Sequence, residues 1–146
     1  MVNLKDLTWK DIRGYHKADK IEELERFVED GFHIVSCDAS YRDCVGTCSI
    51  QISNGGKEST IKNKNFVAFG PNEAEIKSIL FGVREVKKLK KIKKAIFTND
   101  NRQAVNLVAG NHTPRQDNIR KSVEKVKKEL SDLGVPYEFA LVRSKV

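Results

Sequence analysis

The feature that most constrains the fold is a change of pattern near residue 70, from three strand-like runs to alternating helical and strand-like segments. Period-two alternation and short apolar stretches mark three runs, FHIVSCDAS, VGTCSIQIS and STIKNKNFVAF. Asp43 lies in the first short connection and Asn54-Gly55-Gly56 in the second, and both compositions favour antiparallel hairpins. We therefore expect a three-strand antiparallel meander that begins at Phe32.

Helical spacing begins after Gly70-Pro71, where proline is acceptable in a first helical turn. The segment KKAIFTND is typical of a short strand that ends at Asp100, and YEFALV is typical of a last strand. Two helices are predicted between them, from Asn101 to Ala109 and from a start signal at Thr113. Strands separated by helices pair in parallel through right-handed crossovers. The sequence thus predicts an α/β fold whose five-stranded mixed sheet combines the meander with two parallel strands, flanked by helices.

Residues 1–31 are predicted to form a helical N-terminal extension to one domain, residues 32–146. Asp19 and Glu22 have capping-box spacing and Gly31 follows the apolar positions, which predicts a helix from Asp19 to Asp30. The aromatic and apolar residues of the leader, Tyr15 among them, are expected to pack on the main core. No run approaches the roughly 20 apolar residues that span a bilayer, and the start resembles no signal peptide. We therefore expect a soluble, cytoplasmic protein.

A formal charge of +7 favours contact with polyanions, and the densest cluster of cations follows the long helix. Lys87, Lys88 and Lys91 belong to this cluster, and they are candidates for contact with a phosphate backbone. A solvated helix end is the alternative, because cations also favour a helix C-terminus. The spacing of the three cysteines argues against a zinc site, and we expect them to be small buried residues.

Three acids are placed to meet at one edge of the predicted sheet. Asp38 and Asp100 are expected to end the first and fourth strands, and Glu75 lies in the first turn of the long helix. Converging carboxylates repel one another, and Mg²⁺ or Mn²⁺ would relieve that repulsion with oxygen ligands. Glu73 points to another helix face and is expected to be solvated. The alternative is that the three acids are ordinary turn, first-turn and capping residues.

Three motifs resemble the type 1 ribonuclease H family. They are C-D-A-S-Y at the first strand, N-E-A-E-I-K-S-I-L-F-G-V at the long helix and F-T-N-D-N at the fourth strand. The helix motif is the most specific, with Asn72, Glu75 and Gly82 at the family's spacing. The resemblance extends from about Phe32 to Val146, and it implies a ribonuclease H-like fold.

This resemblance implies metal-ligand and catalytic roles for Asp38, Glu75 and Asp100, and contact of Ser40 and Asn72 with the substrate. The implied activity is cleavage of RNA paired to DNA with Mg²⁺ or Mn²⁺. The alternatives are a non-catalytic module that binds nucleic acid or protein, and an enzyme that acts on DNA junctions or double-stranded RNA.

The family also has a fourth acid, on a helix after its last strand. Here the sequence ends at residues 143–146, RSKV, so we expect three carboxylates unless the fold brings Asp43 or Asp117 near.

Overall fold

One six-stranded sheet organises the computed structural model, which describes residues 14–54 and 59–143. Its strands are β1 His16–Ala18, β2 His33–Arg42, β3 Val45–Ser53, β4 Ser59–Val67, β5 Ala95–Asn99 and β6 Tyr137–Val142. The order across the sheet is β1-β6-β5-β2-β3-β4. The β2, β3 and β4 strands pair antiparallel, whereas β2, β5, β6 and β1 are joined by parallel pairings. The predicted mixed sheet with a meander on one side is confirmed.

Helices cover both faces of this sheet. A 3₁₀ segment, Ile21–Leu24, continues into α1 Glu25–Glu29, and the longer helices are α2 Pro71–Lys88, α3 Arg102–Val108 and α4 Asp117–Ser131. Helices α2, α3 and α4 share the larger apolar core with one face of the sheet, and the 3₁₀ segment and α1 share the smaller core with the other face. Within the two described ranges, no helix combines the length and hydrophobicity needed to cross a bilayer.

The prediction of five strands was one strand short. The additional strand, β1, lies in the range predicted as a helical extension, and it pairs in parallel with β6 through His16 opposite Ala140. A strand of three residues has no recognisable period of its own, so only its pairing reveals it. Tyr15, beside it, is 1% exposed and belongs to the larger core, as expected. Residues 1–13 lie outside the described part, and the division into 1–31 and 32–146 stays a prediction.

The predicted helix starts were only partly right. The capping box of Asp19 and Glu22 does not form, since the 3₁₀ segment begins after Lys20 and the Asp19 N–H donates to Glu23 Oε2 at 3.1 Å. Helix α4 begins at Asp117 rather than near Thr113. In both cases the tertiary position of the segment overrides a local capping signal. Helix α2 does begin at its proline, as predicted.

The first hairpin has the predicted short connection at Asp43, which the structure shows to be a two-residue turn. Asp43 and Cys44 connect β2 to β3 with φ of 49° and 64°. Positive φ at both central residues is the geometry whose twist matches that of the flanking strands. In the second predicted turn, Gly55 and Gly56 lie outside the described residues.

Close contact between α2 and β2 depends on Gly82. A Cβ atom at this position would lie 2.6 Å from Cys37 Sγ and 3.3 Å from Val35 Cγ1. Both neighbours are buried side chains of β2. The helix therefore approaches the sheet more closely at this position than a larger residue would permit.

We predict that Gly82→Ala destabilises the protein by about 1–3 kcal/mol because its methyl group overlaps the Cys37 sulfur. The loss should appear although alanine is favoured over glycine inside a helix by about 1 kcal/mol. Urea unfolding of Gly82→Ala, Cys37→Ala and the double variant measures the coupling. The cost of Gly82→Ala should shrink once the sulfur is gone; additive free energies would contradict the proposed contact.

Candidate metal centre

Three carboxylates meet at one end of the sheet. One oxygen atom from each of Asp38, Glu75 and Asp100 lies within 4.8 Å of the others. Parallel pairing of β2 with β5 aligns Ser36 with Thr98, and the same register continued by two residues aligns Asp38 with Asp100. The structure thus brings together the three acids that the sequence singled out.

Asp38 differs from the expectation in one respect, because its strand does not end there. Strand β2 continues to Arg42 as one arm of the hairpin with β3. Its pairing with β5, however, stops at Ser36. The crevice therefore opens where β5 ends and the neighbouring β2 continues. Asp38 lies on β2 just beyond the last residue that pairs with β5. This is a position at which a strand residue can reach solvent and a ligand.

Burial and mutual repulsion change the proton affinity of two of these acids. Burial, followed by the nearby Asp100, raises the pKa of Glu75 to about 8, and Glu75 is 8% exposed. Burial and Asp100 also raise the pKa of Asp38, against a hydrogen bond from the Ala39 backbone. In the part of the chain that the structure describes, no lysine or arginine forms an ion pair with any of the three. A divalent cation would supply the missing positive charge.

Asn99 connects the elements that carry the acids, and sequence reasoning assigned it no role. Its side chain is 1% exposed at the end of β5, and Nδ2 donates to the Cys37 carbonyl oxygen of β2 at 2.8 Å. The same amide lies 3.5 Å from Glu75 Oε1 on α2. Its Oδ1 accepts the Asn101 N–H at 2.8 Å. The sequence marked Asn99 only by its place inside F-T-N-D-N, because a single buried amide produces no periodic pattern that would distinguish it.

Helix α3 is capped by Asn101 rather than by Asp100. Asn101 Oδ1 accepts the Ala104 N–H at 2.9 Å. The alternative in which Asp100 is merely a capping residue is therefore wrong. Asn101 Nδ2 also donates to Asn72 Oδ1 at 3.3 Å, and Asn72 Nδ2 donates to Gln103 Oε1 at 3.0 Å. These amides join the starts of α2 and α3 beside the carboxylates.

Glu73 is not the solvated acid that was expected. It is 3% exposed, and its Oε2 accepts the Phe69 N–H at 2.7 Å and Asn118 Nδ2 at 2.8 Å. Its Oε1 lies 3.1 Å from Lys77 Nζ. Burial acts to raise the pKa of Glu73, but these donors together hold it below its ordinary value. Glu73 therefore links the first turn of α2 to α4 through its hydrogen bond with Asn118. Glu75, on another side of the same helix, faces the crevice.

The predicted substrate-binding residues fall into two groups. Ser40 is exposed on β2 two residues beyond Asp38, and hence on the same face. The lysines lie toward the opposite end of α2, since Lys88 is about 20 Å along the helix axis from Glu75. Lys87 pairs with Glu129 at 2.8 Å and Lys88 with Glu85 at 3.2 Å, whereas Lys91 is exposed in the following turn. Substrate contact by these residues stays a prediction.

Open space adjoins Asp38 and Asp100, and a separate cavity lies next to Asn72. A cavity of about 590 Å³ includes Asp38 and Asp100 in its lining, together with Gln51 of β3. A second, of about 800 Å³, is lined in part by Asn72 and His112. The donor set of hard carboxylate oxygens fits Mg²⁺ or Mn²⁺.

Comparison with solved structures identifies the fold. No protein-family model matches the sequence, and no curated protein matches it. Ribonuclease H1 from the archaeon Halobacterium salinarum is similar in structure, with a TM-score of 0.69 at 10% identity over 79% of this chain and 87% of that one. The N-terminal ribonuclease H domain of rv2228c from Mycobacterium tuberculosis gives a TM-score of 0.68 at 13% identity, covering 77% and 87%.

A third similar structure, LC11-RNase H1 in complex with an RNA/DNA hybrid, has a TM-score of 0.67 at 11% identity, with 76% and 86% covered. At these identities the likeness shows the fold alone. The fold of this chain is therefore ribonuclease H-like, as the sequence resemblance implied.

We predict that rising pH destabilises the metal-free protein through Glu75. Its folded-state pKa of about 8 lies above its ordinary value, so the folded protein keeps a proton that the unfolded chain loses. The stabilisation is full below the ordinary pKa of a glutamate and is lost as pH rises toward 8. Glu75→Gln removes this dependence.

Urea unfolding with a chelator at several pH values between 5 and 8 tests this expectation. The free energy of unfolding of the wild type should fall, relative to that of Glu75→Gln, as pH increases. Glu124→Gln, at an exposed position on α4, is the matched control and should follow the wild type. Parallel curves for wild type and Glu75→Gln would contradict the prediction.

Proposed function

We propose that this protein is a divalent-metal-dependent endoribonuclease that cleaves the RNA strand of RNA–DNA hybrids. The observation that carries the proposal is the carboxylate cluster of Asp38, Glu75 and Asp100, within 4.8 Å at the open end of a ribonuclease H-like sheet. The hybrid-bound LC11-RNase H1 structure supports the substrate class, because it has the same fold.

The three carboxylates would hold the metal, and contacts of neighbouring residues favour this role for Glu75 and Asp100. Bound Mg²⁺ or Mn²⁺ would activate a water molecule and stabilise charge on the phosphodiester. Glu75 must release its proton to act as a ligand, and Asn99 holds its carboxylate beside β2. Asp100 is available as a metal ligand because Asn101, rather than Asp100, caps the start of α3.

Substrate recognition is proposed to rest on the shape and backbone of the hybrid rather than on its bases. Asn72 joins the carboxylate site to the cavity lined by Gln103, His112 and Arg115, which offers polar contacts for a strand that crosses the site. Ser40 faces the crevice side of β2. The lysine cluster at the far end of α2 would meet phosphates only of a duplex long enough to extend that far.

We predict that the purified protein cleaves a labelled RNA–DNA hybrid in the presence of Mg²⁺ or Mn²⁺. Asp38→Asn and Asp100→Asn should each lower the rate about 100-fold or more, because each removes a metal ligand. Glu124→Gln should retain the wild-type rate. Single-stranded RNA, DNA duplex and double-stranded RNA, assayed in parallel, measure the preference for the hybrid.

Two results would overturn this assignment. Absence of metal-dependent cleavage with hybrid binding retained would make the protein a non-catalytic binding module. Cleavage that persists in both aspartate variants would show that the activity does not arise from this site. Faster cleavage of double-stranded RNA or of DNA would keep the metal site but change the substrate.

A further inference from the structure

A cavity of about 410 Å³ lies beside Asp100, at the carboxyl end of β1. Pairing of β1 with β6 and of β6 with β5 is parallel, so all three strands end at the same edge of the sheet. The cavity is lined at this edge by the ends of β1 and β6 and by residues that follow the three strands. Asp100 and Arg143 also line the cavity of about 590 Å³ that includes Asp38. The smaller cavity therefore adjoins the space beside the carboxylates.

Three cations line this smaller cavity, and each belongs to a different part of the fold. Lys17 is the middle residue of β1, Arg102 is the first residue of α3, and Arg143 directly follows β6. Lys17 pairs with Leu141, so the alternation along the strands sets Lys17, Leu141 and Arg143 on the same face. The Arg143 N–H donates to the Ala18 carbonyl oxygen at 3.2 Å and so extends the pairing of β6 with β1. Side chains far apart in sequence thus converge on one space.

The two arginines are not neutralised by acids. Within residues 14–54 and 59–143, neither Arg102 nor Arg143 forms an ion pair, although Asp19 and Asp100 line the same cavity. Both arginines are exposed. Because Asp100 is assigned to the proposed metal centre, Asp19 alone among the described lining residues opposes the charge of three cations. The cavity therefore suits an anion.

The cations of α2 are placed differently. Lys87 pairs with Glu129 and Lys88 with Glu85, and Lys88 is about 20 Å along the helix from Glu75. A phosphate adjacent to the one that is cleaved would lie beside the carboxylates, out of reach of these lysines. On the β1 side of the carboxylates it would meet the arginines of the smaller cavity.

Arginine is well suited to hold such a phosphate. Its planar guanidinium is permanently charged and donates two parallel hydrogen bonds to phosphate oxygens. A strand whose scissile phosphate lies at the carboxylates, and which continues toward β1, carries its next phosphate into the smaller cavity. The position and the charge of the cavity thus both match the backbone of a nucleic acid.

We propose that Arg102, Arg143 and Lys17 form a phosphate subsite on the β1 side of Asp100, which binds the cleaved strand at a phosphate next to the scissile one. The inference rests on the proposed function and deepens it. It assigns substrate contact to the N-terminal segment, through β1, and to the residue that follows the last strand.

Binding of an RNA–DNA hybrid at increasing salt concentration, with a chelator to prevent metal-dependent cleavage, tests the subsite. Arg102→Gln and Arg143→Gln should each weaken binding and lower the slope of log Kd against log salt concentration by about 1, because one phosphate contact is lost. Lys125→Gln is the matched control. It removes the same charge from an exposed position on α4 that lines neither cavity beside Asp100, and it should retain the wild-type slope.

Asp19→Asn provides a test of opposite sign. Removal of the acid that opposes the three cations should tighten binding of the hybrid by about twofold to fivefold. Weaker binding in this variant would contradict an anion site.

The position of the bound phosphate can be identified with a short hybrid that has one mapped cleavage site. A single uncharged methylphosphonate linkage replaces each phosphate of the cleaved strand in turn. In the wild type, kcat/KM should fall when a linkage next to the cleaved bond is uncharged. Arg143→Gln should lose less from the same replacement, because its contact is already missing. Equal losses in the two proteins at every linkage would contradict the contact.

Cleavage assays separate this inference from the proposed function. If the wild type cleaves the hybrid and Asp38→Asn does not, while both arginine variants bind and cleave like the wild type, only the subsite is wrong. If the arginine variants lower the slope but the wild type does not cleave, the phosphate contact stands and the catalytic assignment is wrong. An equal loss in Lys125→Gln would overturn the subsite, because the effect would be one of overall charge. Circular dichroism and thermal melting verify that each variant is folded.

Discussion

The close contact of α2 with β2 at Gly82 is the constraint on which the site depends. Because Cys37 and Val35 leave no space for a Cβ atom there, the helix lies directly against the strand that carries Asp38. Glu73 then fastens the first turn of α2 to Asn118 of α4. With the helix held at these two places, Glu75 comes to lie at the end of the sheet rather than over its face.

Polar contacts determine how the acids are arranged within that frame. Asn99 is buried between β2, β5 and α2, and its hydrogen bonds span all three. Burial, followed by the proximity of Asp100, disfavours ionisation of Glu75 and raises its pKa. Natural folds tolerate such a cost where binding of an ion repays it. Under the proposed function, a bound divalent cation would offset this cost.

The N-terminal segment extends the sheet and covers its second face. Strand β1 lengthens the parallel half beyond β6, and the following helical residues cover the second face with Leu24 and Phe27. That face would otherwise expose Ile34 and Ile96 of the central strands to water. Residues of the same stretch, Asp19 and Glu22 among them, also line the cavity that Asp38 and Asp100 border.

The sequence by itself determined the meander, the long helix and the three acids Asp38, Glu75 and Asp100. These signals are local, because each depends on the period of one element or on a residue next to its end. Only the tertiary structure decided three further features. Glu73 is buried and hydrogen-bonded, Asn99 connects three elements, and β1 forms as a sixth strand. Each of these depends on partners far away in sequence: Asn118 for Glu73, Cys37 for Asn99, and β6 for β1. A local pattern carries no information about which distant group will complete a hydrogen bond, so the connections that complete the site emerge only when the chain is folded.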